Sequence, residues 1–332
     1  MIPERRRGVL LGAGAILVAG VIATAAFGRL AFRENSANPF VGAKLFVDRD
    51  SNAYWSGQAL RDNGRIRDAK AMAKIADHPW ASWFGDWSNG HGSLFKDVRA
   101  RVNEISANGS LPVLVAYDIT LRDCGEYSSG GADSPALYRK WIGDFRSGIG
   151  DHRAVVILEP DALAGLDCLS AAERQTRISL LKESVSLLAS SPRISVYIDA
   201  GNQGWHSPEV MARRLQEVGI GKARGFALNV SNFYSDKGER AYGHRLSALL
   251  GGKPFVIDTS RNGRGPAPRN RWCNPPGRGL GRPATAKTGD PLIDAYLWVK
   301  PPGESDGDCR GAPPAGVWWP SYALGLARRA AF

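Results

Sequence analysis

Residues 154–161 read AVVILEPD, and this stretch sets the architecture. The apolar run Ala154 to Leu158 is of strand length, and it stops on two acids, Glu159 and Asp161. The pattern recurs along the chain. Leu111 to Tyr117 runs into Asp118, Ile194 to Ile198 into Asp199, and Pro254 to Ile257 into Asp258. Gly225 to Val230 and Ala295 to Val299 read as further strands, and Trp80 to Phe84 as the first. Helical patterns lie between them: Ile66 to Ala76, Lys96 to Asn108, Pro135 to Ile149, Ser170 to Ala189, Pro208 to Glu217 and Glu239 to Leu250. Ser170 with Glu173 three residues on is a capping box. A βα order throughout predicts parallel strands with outer helices, an α/β fold. The count of about seven strands is slightly short of an eight-stranded barrel, and an open doubly wound sheet is the alternative. No Gly-x-Gly-x-x-Gly follows any strand, which argues against dinucleotide binding.

Carboxylates gathered at successive strand ends are how a parallel α/β barrel builds an acid/base site. Trp83, Trp205 and Trp272 fall near such ends. Acids beside indoles suit sugar rings, which offer apolar C–H faces to stack on and a glycosidic oxygen that needs a proton donor.

At 332 residues the chain can bury a large core, and 43% hydrophobic with 23% charged residues is ordinary for a globular enzyme. The net charge of +11 comes partly from Arg5, Arg6 and Arg7, which belong to an N-terminal segment. A second basic stretch, Arg261 to Arg282, is rich in Gly and Pro and reads as a solvated loop. No nucleic-acid motif accompanies it, so no nucleic-acid partner is expected. After the three arginines come about twenty uncharged, mostly apolar residues, Gly8 to Phe27, with a small-x-small pattern at Ala23-Thr24-Ala25. Residues 1–25 are therefore expected to be a cleaved secretory signal or a membrane anchor, residues 26–40 a linker, and residues 41–332 the catalytic domain. Either reading places the domain outside the cytoplasm, secreted or attached to the cell membrane. Four cysteines in an exported chain imply two disulfides with three possible pairings, and nearness in sequence favours Cys124–Cys168 and Cys273–Cys309. No Cys-x-x-Cys pair and no His-x-x-x-His is present, so no metal site is expected. No Gly-x-Ser-x-Gly is present either, which disfavours a serine hydrolase.

Three segments carry the candidate chemistry. In YDITLRDC, residues 117–124, Arg122 beside Asp123 is expected to keep that carboxylate ionised. In LEPD, residues 158–161, a desolvated Asp161 near other acids would have a raised pKa and could donate a proton, although an aspartate there also suits a helix N-cap. KPPGESDG, residues 300–307, looks like a binding loop, or else a polar turn. Trp318-Trp319, before Tyr322 and Leu324, reads as core rather than as a sugar platform.

Together and in order, from about Trp83 to the C-terminus, YDITLRDC, CGEYSSGG, VILEPDAL, VYIDAGNQGWHSP, NVSNF, VIDTSRNGRGP, RWCNPPGRGLG and TGDPLIDAYLWVKPPGESDG resemble glycoside hydrolase family 6, the inverting β-1,4-glucanases. The resemblance implies a distorted, TIM-like parallel β/α barrel of about seven strands. It implies Asp161 as general acid and Asp123, held by Arg122, as the second aspartate. Asp306 is then the proposed base, Ser129 a holder of the nucleophilic water, and Tyr117 the tyrosine beneath the distorted sugar. Trp83, Trp205 and Trp272 match stacking platforms, and Asn232, Lys300 and Glu304 match hydrogen-bonding groups. Asp199 matches a supporting aspartate, and the two cysteine pairs match the family's disulfides. Asn202 stands where the family usually has His, Thr120 where Pro is frequent and Phe233 where Tyr is frequent. These departures bear on substrate preference more than on chemistry.

The expectation is an exported endo-β-1,4-glucanase that needs no cofactor, acts as a monomer and takes a β-1,4-glucan as its partner. The competing expectation is a non-catalytic carbohydrate-binding protein of the cell envelope on the same scaffold. A binder would need only the tryptophans, so retention of the three carboxylates and Ser129 argues for the enzyme.

Overall fold

The computed structural model describes residues 37–88 and 90–332. The signal-or-anchor expectation for residues 1–25 lies outside the described residues. Seven strands form one parallel sheet: β2 (Ser82–Phe84), β4 (Val113–Ala116), β5 (Ala154–Leu158), β6 (Ile194–Asp199), β7 (Gly225–Leu228), β8 (Phe255–Asp258) and β9 (Ile293–Leu297). A short parallel pair, β1 (Lys44–Leu45) with β3 (Ser110–Leu111), stands apart from it. The strands pair in sequence order with no reversal. A doubly wound sheet needs a point where the order reverses, so that alternative is excluded. The sheet instead curls into a half-barrel. Its two margins approach at one place, where the Ala81 amide donates to the Trp298 carbonyl at 3.0 Å and the Trp83 indole to the Val299 carbonyl at 2.8 Å.

Helices cover the outside: α1 (Asn52–Asp62), α2 (Ile66–Ala76), α3 (Leu94–Ala107), α4 (Pro135–Ile149), α5 (Ala171–Leu188), α6 (Pro208–Glu217), α7 (Asp236–Leu249) and α8 (Pro320–Arg328). Local chemistry starts most of them. Ser93, Ser134, Ser207 and Ser235 each accept a backbone N–H as N-cap, and Ser170 with Glu173 closes the expected capping box. Helix α1 was not foreseen, because its apolar face is weak; Ser51 caps it all the same.

Both faces of the sheet are buried, which is why its strands read as continuous apolar runs. On β5, Ala154, Val156 and Leu158 pack outward under the helices, while Val155 and Ile157 point into the barrel with Val115, Tyr197, Ala227 and Val256. Phe40 belongs to the same interior cluster and Asn38 bonds the Asp294 carbonyl, so the packed structure already includes these two residues. Trp318 and Trp319 pack with α1, α2 and α8 in a third cluster, and the Trp318 indole donates to Ser56 at 3.0 Å. They serve the core, as the sequence suggested. No helix among the described residues is long and apolar enough to cross a membrane.

Candidate active site

The C-terminal ends of the strands open into a cleft of about 850 Å³. Every catalytic and substrate-binding residue named from the sequence lines it: Asp161, Asp123, Asp306, Ser129, Tyr117 and Arg122, together with Trp83, Trp205, Asn232, Trp272, Lys300 and Glu304. The strand-end aspartates divide. Asp161 lines the cleft, but Asp118, Asp199 and Asp258 do not, and all three are buried. Asp258 spends its carboxylate on the backbone N–H groups of Ser231, Ser260 and Lys300, which ties loops together.

The β5 terminus is bent sharply so that it can present Asp161. Glu159 and Asp161 both have positive φ, 48° and 66°. Side chains rarely tolerate this region unless their surroundings over-determine it. The buried Glu159 carboxylate supplies part of that constraint. It accepts from the Asp118 and Ile119 amides at 3.0 Å and from the Tyr138 hydroxyl at 3.0 Å. Asp161 itself donates its amide to Asp199 Oδ1 at 3.0 Å. Burial raises the Asp161 pKa well above the usual carboxylate range, and the charges of Asp199, Asp123 and Asp306 push it the same way. Asp199 is raised chiefly by burial, and its Oδ2 has no hydrogen-bond partner among the described residues. An acid in these surroundings holds its proton until a better acceptor arrives.

Arg122 favours the ionised form of Asp123, as expected, but it is not the largest influence on that carboxyl. Burial dominates and raises the Asp123 pKa, outweighing the adjacent cation and the Ser128 amide that Asp123 accepts at 2.8 Å. The guanidinium is turned elsewhere. It donates to the Tyr117 carbonyl at 2.9 Å and the Ser128 carbonyl at 2.9 Å, and it pairs with Asp86 at 3.3 Å. Its Cζ also lies 4.6 Å from the Tyr117 ring centre.

Asp306 is held on both oxygens. Oδ1 takes Arg261 Nη1 at 2.8 Å, and Oδ2 takes the Asn274 amide at 2.9 Å. Arg261 is fully buried and stacks on Phe233, with Cζ 4.4 Å from the ring centre. The reading of Arg261 to Arg282 as a solvated basic loop therefore fails at Arg261, because a buried carboxylate drew its guanidinium inward. It fails at Arg278 too, whose Nη1 knits the carbonyls of Arg264, Gly265 and Pro266. Charge and Gly content alone could not reveal either partner.

The indoles differ in exposure. Trp205 is 42% and Trp272 36% exposed, so each offers a face to a ring in the cleft. Trp83 is partly buried, fixed by its bond to Val299 and set edge-on to Tyr117 at 5.2 Å. Lys300 pairs with Glu304 at 3.5 Å. Asn202, at the position where His was expected, is buried and accepts from the Gly204 amide at 3.0 Å, so its carbonyl serves its own turn. Trp87 and Tyr127 also line the cleft and were missed, because no motif or spacing signals them. The disulfides are Cys124–Cys168 and Cys273–Cys309, the favoured pairing. They anchor the loops that carry Asp123 and Asp306. No cluster that could hold a metal ion occurs among the described residues.

The profile of the family described as glycosyl hydrolases family 6 matches residues 40–330. An endoglucanase A of Cellulomonas fimi is 43% identical over 86% of this chain, a match that spans 61% of that protein, less than two thirds of its length. An endoglucanase 1 of Streptomyces halstedii is 42% identical over 80% of this chain and 82% of its own. Among solved structures, the endoglucanase Cel6 of Mycobacterium tuberculosis, in complex with methyl-cellobiosyl-4-deoxy-4-thio-β-D-cellobioside, superposes with a TM-score of 0.83 at 44% identity. It covers 88% of this chain and 99% of that one. Endoglucanase Cel6B of Humicola insolens has the same fold at 29% identity, with a TM-score of 0.77, and covers 89% of this chain and 99% of its own. The matched profile, the identity to these relatives and the superposed fold agree, and this chain belongs to glycosyl hydrolases family 6.

Proposed function

We propose that the chain is an endoglucanase that hydrolyses internal β-1,4 bonds of cellulose-like glucans with inversion of configuration. The observation that carries this reading is the setting of Asp161, a carboxyl kept protonated by burial and by neighbouring acids on the floor of an indole-lined cleft. Rings stacked on Trp272 and Trp205 lay the chain across it. Asp161 gives its proton to the glycosidic oxygen as that bond to the anomeric carbon breaks. A water attacks the same carbon from the opposite face and loses its proton to the Ser129–Asp123 side of the cleft. The product end is then a free hemiacetal hydroxyl, and the leaving sugar carries the proton from Asp161. Inversion requires room for that water between the acid and the base.

Asp306 was the proposed base. Both of its oxygens are engaged by Arg261 and Asn274, which favours Asp123 as the group that takes the water's proton. Asp306 then serves as a fixed negative charge that favours the cationic transition state. No cofactor enters this scheme.

Endo action follows from loop length. The connection from β7 to α7 spans residues 229–235, and the loop after Asp306 is drawn in at once by the Cys273–Cys309 bond. Neither is long enough to roof several sugar rings. Two disulfides suit an oxidising compartment, so export through residues 1–25, with or without a lasting membrane anchor, is part of this proposal. The non-catalytic alternative gives no reason for the protonated Asp161.

The test is carboxymethylcellulose, followed by viscosity and by reducing ends together. Viscosity is expected to collapse while few reducing ends have formed. Cellobiose released from the start at nearly constant viscosity would defeat the endo reading, and no release of either kind would defeat the enzymatic one.

A further inference from the structure

Asp86 lies two residues beyond β2, outside every motif that the sequence brought forward. Its carboxylate reaches across to the loop that carries Asp123 and Ser129. Oδ1 pairs with Arg122 Nη1 at 3.3 Å, and Oδ2 accepts the Gly131 amide at 3.1 Å. Arg122 is the post around which that loop winds. It holds the carbonyls of Tyr117, Ser128 and Ser129, and its Cζ lies 4.6 Å from the Tyr117 ring centre and 5.2 Å from that of Trp87.

The fit at this point is close. A Cβ on Gly130, at φ 137°, would come within 2.6 Å of both Asp86 Oδ2 and Arg122 Nη2. A Cβ on Gly131, at φ 87°, would come within 2.1 Å of the Ile119 carbonyl oxygen. The loop's own apolar packing is slight. Residues 123–127 contribute no side chain to the buried core, and Ser129 is exposed. Asp86 is thus the side chain that fastens the far end of the loop to the barrel, beside the Ala132 amide on the Asp118 carbonyl and the Arg122 amide on the Gly130 carbonyl, as the Cys124–Cys168 bond fastens the near end.

We infer that Asp86 is a positioning residue, a latch that closes the Asp123–Ser129 loop over the cleft through Arg122 and Gly131. It is not among the residues that line the cleft. It sets where Ser129 and Asp123 stand when the water is activated, so it governs turnover more than affinity. This inference rests on the hydrolytic reading for its kinetic consequence but not for its structural one.

The side chain of Asp86 is 42% exposed but that of Arg122 only 5%, so the pair sits at the margin of the buried interior. Asp86→Ala is expected to fold with a modestly lowered denaturant midpoint, because the Arg122 guanidinium keeps its carbonyl partners. Two readouts decide the matter. Amide hydrogen exchange of residues 128–131 is expected to quicken at least ten-fold in Asp86→Ala while β5 and α4 keep their protection. On a soluble glucan, kcat is expected to drop roughly ten-fold or more, as for a small misplacement of a reacting group, with KM within about two-fold. Asp86→Asn, which keeps an oxygen for Gly131 but loses the charge facing Arg122, is expected to fall between the two. Unchanged exchange at 128–131 overturns the latch whatever the enzyme does. Faster exchange with unchanged kcat overturns its role in turnover. A wild-type protein that hydrolyses no glucan would instead indict the proposed function, and the exchange experiment would still decide the latch.

Discussion

The amide of Asp161 donates to Oδ1 of Asp199 at 3.0 Å, so the proposed acid is oriented by a second acid buried beneath it. The bond fixes the bent backbone at Asp161, and the Asp199 charge makes loss of the Asp161 proton harder. Position and proton affinity are thus tied to one residue.

That link predicts a pH effect. Activity needs protonated Asp161, so it falls as pH rises through the raised pKa of that group. Asp199→Asn removes a negative neighbour but keeps an oxygen to accept the Asp161 amide. The alkaline limb of the kcat/KM profile is expected to move to lower pH, with activity on the acid side largely kept. A limb that stays in place would mean that Asp199 does not tune the acid.

Arg261 and Asp306 form a buried pair, and removing one member leaves the other charge uncompensated. Arg261→Met is expected to cost about 3–5 kcal/mol of stability, the usual consequence of breaking such a pair. The double variant Arg261→Met with Asp306→Asn should recover much of that loss without recovering activity. Urea unfolding of the two variants checks both statements. A loss below about 1 kcal/mol in the single variant would contradict the coupling.

Much of this arrangement was legible beforehand because it is local. Apolar runs gave the strands, the Ser170–Glu173 capping box gave one helix start, and the acid of LEPD stood at a strand end. What escaped depends on contacts across the fold. Asp86 and Arg122 are 36 residues apart, and Arg261 and Asp306 are 45 apart, so neither pairing leaves a trace in spacing or composition. The net upward shift of Asp123 was hidden for the same reason. Adjacency to Arg122 was visible in sequence, whereas the burial that outweighs it was not. The same holds for the strand-end aspartates, where only the fold separates Asp161 from Asp118 and Asp258.

Glu239 is a further buried acid, raised to about 8 by burial and by the Asp199 charge, with the Gln203 amide working against the shift. Its folded pKa lies above the unfolded one, so the folded state holds the proton more tightly. Its contribution to stability is whole below the unfolded value, about 4.3, and is lost as pH rises to about 8. Glu239→Gln removes this titration. Stability relative to the wild type is expected to rise between those limits, as read from denaturant midpoints at a series of pH values. Parallel curves for the two proteins would show that Glu239 does not titrate with unfolding.

The claim at the centre of the account is that Asp161 supplies the proton to the leaving oxygen. It is tested most directly by comparing Asp161→Ala with the wild type on two substrates, an unactivated cello-oligosaccharide and a cellobioside with a dinitrophenyl leaving group. Loss of a general acid costs on the order of 10²–10⁴-fold where the leaving group needs protonation. A loss in that range is expected on the oligosaccharide and a far smaller one on the aryl substrate. An equal loss on both, or little loss on either, would contradict it.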